Sequence, residues 1–105
     1  MSLSTHVLDA TTGRPASGVT VRLTLDSNEL AADTTDADGR VGTLGGELTA
    51  GIYRLHFDTG GYFADRGIRG FYPEVTITFE ITDASAHHHV PLLLSPYAYS
   101  TYKGS

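Results

Sequence analysis

Hydrophobic and polar residues alternate along much of this chain, which is the pattern of strands that bury one face. The clearest case is residues 75–81, where valine, isoleucine and phenylalanine alternate with polar residues (VTITFEI). Alternating or strand-like sequences also occur in five other segments, at 3–8, 19–25, 53–57, 90–94 and 97–102. The hydrophobic pattern therefore predicts a protein built mainly from short β-strands.

Turn-forming residues separate the predicted strands. The strongest turn signal is Asp36–Gly39 (DADG), which precedes a further short strand predicted at 40–44. Glycine pairs lie at 45–46 and 60–61, and residues 62–68 have a sequence suited to a short helix. Many short strands between turns, with one short helix near 62–68, predict an all-β sandwich or barrel.

The composition narrows the classes of function. The 105 residues show no internal repeat and predict a single domain spanning 1–105. Cysteine is absent, which excludes disulfides, thiol catalysis and cysteine-based zinc sites. The net charge of -5, without a basic stripe, argues against nucleic acid and anionic membranes as partners. No apolar run approaches the ~20 residues of a membrane span, and the start lacks a secretory signal, so we expect a cytoplasmic protein.

The predicted strands at 3–8 and 90–94 place histidines on the face opposite the core. Leu3 and Val7 in one strand, and Val90 and Leu92 in the other, are expected core residues. The residues that then face outward are Ser4, His6 and Leu8 in the first case and His87, His89, Pro91 and Leu93 in the second. A face that mixes histidine with leucine is typical of a covered surface, such as a subunit interface.

Several weaker signals have ordinary explanations. Three consecutive histidines, His87–His89, suggest a metal site with His6 or His56 as further ligands, but the sequence alone favours a surface cluster. Residues 33–45 partly match a calcium loop but end in glycine instead of the ligating glutamate, which favours a plain turn. Ser105 lacks the Gly-x-Ser-x-Gly context of a serine nucleophile, which leaves a hydrogen-bonding role through its hydroxyl or its carboxylate.

Two motifs near the C-terminus are the most specific in the chain, HHHVPLLLSP at 87–96 and YSTYKGS at 99–105. Together with LSTHVLD at 3–9, TDADGR at 35–40 and FYPEV at 71–75, they resemble the 5-hydroxyisourate hydrolase family, the transthyretin-like enzymes of urate breakdown. The resemblance covers nearly the whole chain. The family pattern in the two C-terminal motifs is His-x-His-Val-Pro-Leu-Leu-Leu and a terminal Tyr-Arg-Gly-Ser.

The resemblance implies an active site drawn from three regions of the chain. It implies catalytic roles for His6, Arg40, His89 and Ser105, and substrate-binding roles for Tyr102 and Lys103. Lys103 stands where the family has arginine, so the charge is kept but the planar two-pronged donor is lost. His88 stands where the family has tyrosine, and because it lies opposite His89 in the strand we expect a change of packing there.

The resemblance also implies a fold, a reaction and an assembly. The fold is a two-sheet transthyretin-like (prealbumin-like) β-sandwich with one short helix. The reaction is hydrolysis of 5-hydroxyisourate to 2-oxo-4-hydroxy-4-carboxy-5-ureidoimidazoline without a metal or organic cofactor, in which His6 and His89 activate water and Arg40 stabilises negative charge. The assembly is a homotetramer, a dimer of dimers with active sites at the dimer–dimer interface. A transthyretin-like carrier of a small ligand and a structural or adhesive module stay open as alternatives.

Overall fold

The structure, a computed structural model, describes residues 2–105. Within that range the chain forms nine strands and one helix, which are β1 (Leu3–Asp9), β2 (Arg14–Pro15), β3 (Thr20–Leu25), β4 (Asn28–Thr34), β5 (Arg40–Val41), β6 (Gly51–Phe57), α1 (Thr59–Ala64), β7 (Val75–Ile81), β8 (His88–Ser95) and β9 (Ala98–Thr101). The strands predicted from hydrophobic alternation correspond to β1, β3, β6, β7, β8 and β9.

The strands form two sheets that pack face to face. The first sheet has the order β2-β1-β8-β9, with β5 also paired to β1, and the second has the order β4-β3-β6-β7. Strands β1 and β8 pair in parallel, whereas the other pairs are antiparallel. The predicted all-β sandwich with two sheets and one short helix is confirmed.

Alternate residues of both sheets fill the space between them, as expected for strands with one buried face. The fully buried side chains include Leu3, Val7 and Leu92 of the first sheet and Leu23, Leu55 and Phe57 of the second. Thr5 is also buried and donates its hydroxyl to the carbonyl of Val90 at 2.6 Å. The inner face of the first sheet therefore belongs to the core, and polar side chains of a site can lie only on its outer face.

The outer face of β1 and β8 carries the histidines, as strand parity predicts. His6 and His89 are half-buried there, and His87 beside the start of β8 is exposed. Two residues predicted to face outward, Ser4 and Pro91, are nevertheless buried. The rings of His87 and His89 contact the Ser4 hydroxyl and cover it, and Pro91 lies on β8 between β1 and β9.

The helix bounds predicted from the sequence were wrong, because α1 begins before residues 62–68 and ends within them. The side chain of Asp58 caps the helix, its Oδ1 accepting a hydrogen bond from the amide of Gly61 at 3.0 Å. The glycine pair at 60–61 therefore forms the first helical turn instead of a preceding loop. Gly67, in the turn that follows the helix, then adopts a positive φ of 69°, which glycine tolerates readily.

Strand β4 was not predicted, because its sequence shows no alternation. It lies at the edge of the second sheet, and all of its side chains are exposed except the half-buried Ala31. A strand that buries neither face gives no periodic signal in the sequence. The strand predicted at 40–44 is shorter than expected, since only Arg40 and Val41 pair with β1.

A buried hydrogen bond attaches α1 to the end of β1. The Tyr62 hydroxyl donates to Asp9 Oδ2 at 2.8 Å, and the amide of Thr11 donates to the other carboxylate oxygen at 2.9 Å. Burial, followed by the hydrogen bond and the negative charge of Asp9, raises the pKa of Tyr62 to about 12. The guanidinium of Arg66 lies 3.7 Å from the centre of the Tyr62 ring.

Replacing Tyr62 with phenylalanine is expected to lower the free energy of unfolding by about 1–3 kcal/mol, because a buried carboxylate oxygen loses its donor. The measurement is urea-induced unfolding at neutral pH. Tyr97→Phe is the matched control, since Tyr97 is 73% exposed and should change stability little. Equal stability of Tyr62→Phe and the parent protein would show that the hydrogen bond to Asp9 contributes nothing.

Candidate active site

The turn before β5 brings Arg40 beside His6. Asp36 Oδ1 accepts hydrogen bonds from the amides of Asp38 and Arg40, both at 2.9 Å. Gly39 has a φ of +74°, and a Cβ at this position would collide with a carbonyl oxygen of β1, so only glycine fits. Because β5 pairs with β1 so that Arg40 is opposite His6, the two side chains project from the same face.

The two side chains differ in how they are held. His6 Nε2 lies 2.9 Å from the carbonyl oxygen of Asp38, which can only accept, so Nε2 carries a hydrogen and the lone pair of neutral His6 is on Nδ1. Among the described residues the one ion pair joins Arg22 and Glu29, with 3.6 Å between nitrogen and oxygen. The exposed guanidinium of Arg40 therefore has no carboxylate partner within residues 2–105 and is available to an anionic group of a ligand.

The parallel pairing of β1 with β8 brings Ser4 opposite His89. Ser4 Oγ lies 2.7 Å from Nδ1 of His89, and the other ring nitrogen, Nε2, makes no hydrogen bond to residues 2–105. Burial lowers the pKa of His89 below its usual 6.5, and the positive charges of Arg40, His6 and His87 lower it further, opposed by a hydrogen bond with the Ser4 backbone. His89 is therefore neutral at neutral pH and has a free ring nitrogen.

The C-terminal tail lies across the start of β8, next to His89. The amide of Gly104 donates to the carbonyl of His89 at 2.9 Å, and the two residues form an antiparallel β-bridge. A Cβ on Gly104 would lie only 3.0 Å from Cγ of His89, so the histidine ring packs directly on the glycine backbone. The tail is therefore docked on β8 at Gly104.

The other tail residues are less closely held. Tyr102 and Lys103 are exposed and line a cavity between β7, β8 and the tail, together with His88 and His89. Ser105 is exposed, and its side chain makes no hydrogen bond within the described part of the chain. The structure thus groups His6, Arg40 and His89 on one face and brings the tail to His89. The catalytic and substrate-binding roles stay predictions.

Sequence reasoning gave no role to Ser4 and His87, which also belong to this site. Besides His89, Ser4 Oγ contacts Nε2 of His87 at 2.9 Å, and Ser2 Oγ contacts Nδ1 of His87 at 2.8 Å. The parity of both strands already placed Ser4, His87 and His89 on one face. What the sequence lacked was the register of β1 against β8, which brings Ser4 between the two histidines.

Within residues 2–105, no group of three or more histidine, aspartate and glutamate side chains is arranged to hold a metal ion. His87 and His89 share a face, as the hypothesis of a histidine metal site required, but Nε2 of His87 and Nδ1 of His89 both contact Ser4.

Within residues 2–105, no helix is both long enough and apolar enough to cross a membrane.

A model of the HIUase/Transthyretin family matches residues 3–104 of the chain. The chain belongs to this family. It is 46% identical to the 5-hydroxyisourate hydrolase of Caulobacter vibrioides, over 98% of this chain and 97% of that protein. It is 44% identical to the 5-hydroxyisourate hydrolase of Mus musculus, over 98% of this chain and 94% of that protein. The resemblance stated from the motifs is thereby confirmed.

Two solved structures show how closely the fold is shared. The structure of Klebsiella pneumoniae 5-hydroxyisourate hydrolase matches with a TM-score of 0.94 and 43% identity, and the match covers 100% of both chains. The crystal structure of sea bream transthyretin in complex with thyroxine matches with a TM-score of 0.91 and 32% identity, over 99% of this chain and 95% of that one. The transthyretin-like form of the sandwich is confirmed.

Proposed function

We propose that this chain hydrolyses 5-hydroxyisourate to 2-oxo-4-hydroxy-4-carboxy-5-ureidoimidazoline in urate breakdown. The observation that carries the proposal is the grouping of His6, Arg40 and His89 on one face of the first sheet. The grouping combines a neutral histidine with a free ring nitrogen and an arginine without a carboxylate partner. Relatives that are 44–46% identical over nearly the whole chain are 5-hydroxyisourate hydrolases.

In the proposed mechanism His89 is the general base. Its Nε2 takes a proton from a water molecule, and the resulting hydroxide attacks the carbonyl carbon of the scissile amide in the six-membered ring. The carbon–nitrogen bond then breaks, the nitrogen takes the proton back from His89, and the new carboxylic acid releases its proton to solvent. The lowered pKa of His89 supports this role, because a base must be unprotonated at the working pH.

The remaining residues are assigned to binding and charge stabilisation. Arg40 would hold the substrate oxygens and stabilise the negative charge that develops on the attacked carbonyl. His6, with its lone pair on Nδ1, would position the water beside His89. Ser105, Tyr102 and Lys103 would orient the substrate from the tail, with Lys103 supplying charge without the fork of an arginine.

We further propose a homotetramer, a dimer of dimers with active sites at the dimer–dimer interface. Leu8 and Leu93 support it, because they are register partners on the outer face and would meet water in an isolated chain. Light scattering is expected to give four times the chain mass of 11.2 kDa. A monomer that hydrolyses the substrate at the full rate would contradict this assembly. A cytoplasmic location stays a prediction.

A non-catalytic carrier is the second candidate function. The match to sea bream transthyretin in complex with thyroxine favours it, since this fold can bind a small aromatic ligand without chemistry. A carrier, however, needs neither a neutral histidine with a free nitrogen nor an adjacent arginine. The identity to that transthyretin is 32%, below the 46% to the hydrolase of Caulobacter vibrioides.

The deciding experiment generates 5-hydroxyisourate in situ by oxidising urate and follows the decay of its absorbance with and without the protein. Decay that accelerates in proportion to protein concentration supports the hydrolase. Decay at the spontaneous rate, with protein shown to be folded and tetrameric, would exclude the hydrolase and favour the carrier. In that case Lys103→Arg and His88→Tyr, which restore the residues of the family pattern, would be the first variants to test.

The pH dependence of hydrolysis is expected to reflect the lowered pKa of His89. A histidine with an ordinary pKa of 6.5 would lose half of its base form at that pH, whereas His89 stays neutral to lower pH. The rate should therefore keep more than half of its maximum at pH 6.5 and fall to half only at the lowered pKa, below that pH. An acidic limb centred above pH 6.5 would contradict the role of His89 as the base.

A further inference from the structure

A continuous series of hydrogen-bonding groups runs from the protein surface to His89. Ser2 Oγ lies 2.8 Å from Nδ1 of His87, and Nε2 of His87 lies 2.9 Å from Ser4 Oγ. Ser4 Oγ in turn lies 2.7 Å from Nδ1 of His89. His87 is exposed, whereas Ser4 is only 9% exposed and His89 is half-buried. The series therefore links a half-buried ring to one in contact with solvent.

The number of hydrogens fixes how this series can be ordered. A serine hydroxyl has one hydrogen, and a neutral imidazole has one N–H and one lone pair. Ser4 contacts a ring nitrogen on each side, and its single hydrogen can be donated to only one of the two histidines. If Nε2 of His89 is to accept a proton from water, Nδ1 must carry the ring hydrogen and donate to Ser4. Ser4 then donates to Nε2 of His87, and Nδ1–H of His87 donates to Ser2.

We propose that Ser4 and His87 form a proton relay that sets the tautomer of His89 and carries positive charge from its ring to the exposed ring of His87. The proposal rests on the proposed function, because it deepens the part played by His89 in hydrolysis. Ser4 and His87 are positioning and relay residues, since neither touches the substrate in this scheme.

The relay step balances in hydrogen and charge. As Nε2 of His89 takes a proton from water, the Nδ1 proton moves to Ser4 Oγ, and the Ser4 hydroxyl proton moves to Nε2 of His87. His89 is then neutral with its hydrogen on Nε2, and His87 is an imidazolium. When Nε2 gives its proton to the leaving nitrogen of the amide, the same shifts run in reverse and restore the starting state. The substrate gains one water, and the relay atoms are unchanged.

The surroundings of the two rings explain why moving the charge helps. An imidazolium at His89 would be half-buried and close to the guanidinium of Arg40, which makes it unfavourable there. His87 is exposed in the single chain, where water can solvate the same charge at its ring. A relay of this kind lets His89 accept a proton without holding the charge.

The first test measures the tautomer of His89 by ¹⁵N NMR, with no substrate present. We expect the hydrogen on Nδ1 in the parent protein at neutral pH, and a larger share of it on Nε2 in Ser4→Ala, which removes the hydroxyl that accepts from Nδ1. His89 with its hydrogen on Nε2 in the parent protein would overturn the resting order of the relay.

The second test separates proton transfer from hydrogen bonding in turnover. His87→Gln keeps an amide that can bond to Ser4 but cannot pass a proton, so kcat is expected to fall about 10-fold with KM unchanged. The kcat of His87→Ala should fall by a similar factor. Added imidazole base, which can enter from solvent, should restore activity in proportion to its concentration. His56→Gln is the matched control, since His56 also bridges two hydroxyls, those of Thr24 and Thr76, on the other sheet.

The outcomes separate the relay from the proposed function. Full kcat in His87→Gln and His87→Ala, with an active parent protein, would overturn the relay and leave the hydrolase intact. Loss of kcat that imidazole does not restore would also overturn it, because a purely structural role of His87 explains that result. A parent protein that leaves the substrate decay at its spontaneous rate would overturn the proposed function, and with it the catalytic use of the relay.

Discussion

Replacing His89 with alanine is expected to lower kcat for 5-hydroxyisourate by about 10²-fold or more, because the reaction loses its general base. The physical reason is the combination of a free Nε2 and a lowered pKa, which keeps the ring neutral at neutral pH. Arg40, which binds and stabilises charge in the proposed mechanism, is still present, so KM should change much less than kcat. The measurement is initial rates of substrate decay at several substrate concentrations.

His56→Ala is the matched control for this substitution. His56 also lies on a strand and bonds to hydroxyls through both ring nitrogens, but on the second sheet. It should hydrolyse at the parent rate. His6→Ala is the informative comparison, since it removes the other candidate base while leaving Ser4 and His89 in place. A His89→Ala variant with the kcat of the parent protein would sink the assignment, and a larger loss in His6→Ala would transfer the role of base to His6.

The sandwich could be predicted from the sequence because most of its longer strands bury one face. In strands with a buried face, such as β3 or β7, hydrophobic and polar residues alternate, and this pattern indicates where the strand lies. The exposed edge strand β4 carries no such pattern and was missed. The helix was misplaced because Asp58 can cap a helix or begin a turn, and the choice depends on packing that the local sequence does not encode.

The site could be predicted in part for a similar reason. Parity placed His6 and His89 off the core side of their strands, and the family resemblance implied Arg40 as a further site residue. Parity says nothing about which residues lie opposite each other across two strands that are more than eighty residues apart in sequence, as Ser4 and His89 are. The register of β1 against β8 is a tertiary property, and it alone reveals that Ser4 lies between the rings of His87 and His89.

The lowered pKa of His89 could not have been read from the sequence either. Burial is its first cause, and the other groups that lower it, Arg40, His6 and His87, come from β5, from β1 and from the residue before β8. Only the assembled sheet gathers these groups around one ring.

Replacing Gly104 with alanine is expected to lower kcat by about 10²-fold with little change in the free energy of unfolding, because it displaces the catalytic geometry without touching the core. A Cβ at this position would meet the ring of His89, with Cγ at only 3.0 Å. Either the ring turns away from Ser4 or the tail lifts from β8. Both movements change the position of His89 relative to the tail.

Gly42→Ala is the matched control, since its Cβ would meet nothing within 4 Å and it lies just after β5, beside the same sheet. The readouts are kcat, the urea midpoint and the ¹⁵N tautomer of His89. A changed tautomer in Gly104→Ala would mean that the ring has turned, whereas an unchanged tautomer with low kcat would mean that the tail has moved. Full activity in Gly104→Ala would contradict the close packing of the tail on His89. In that case the proposed roles of Tyr102, Lys103 and Ser105 would lose their structural support.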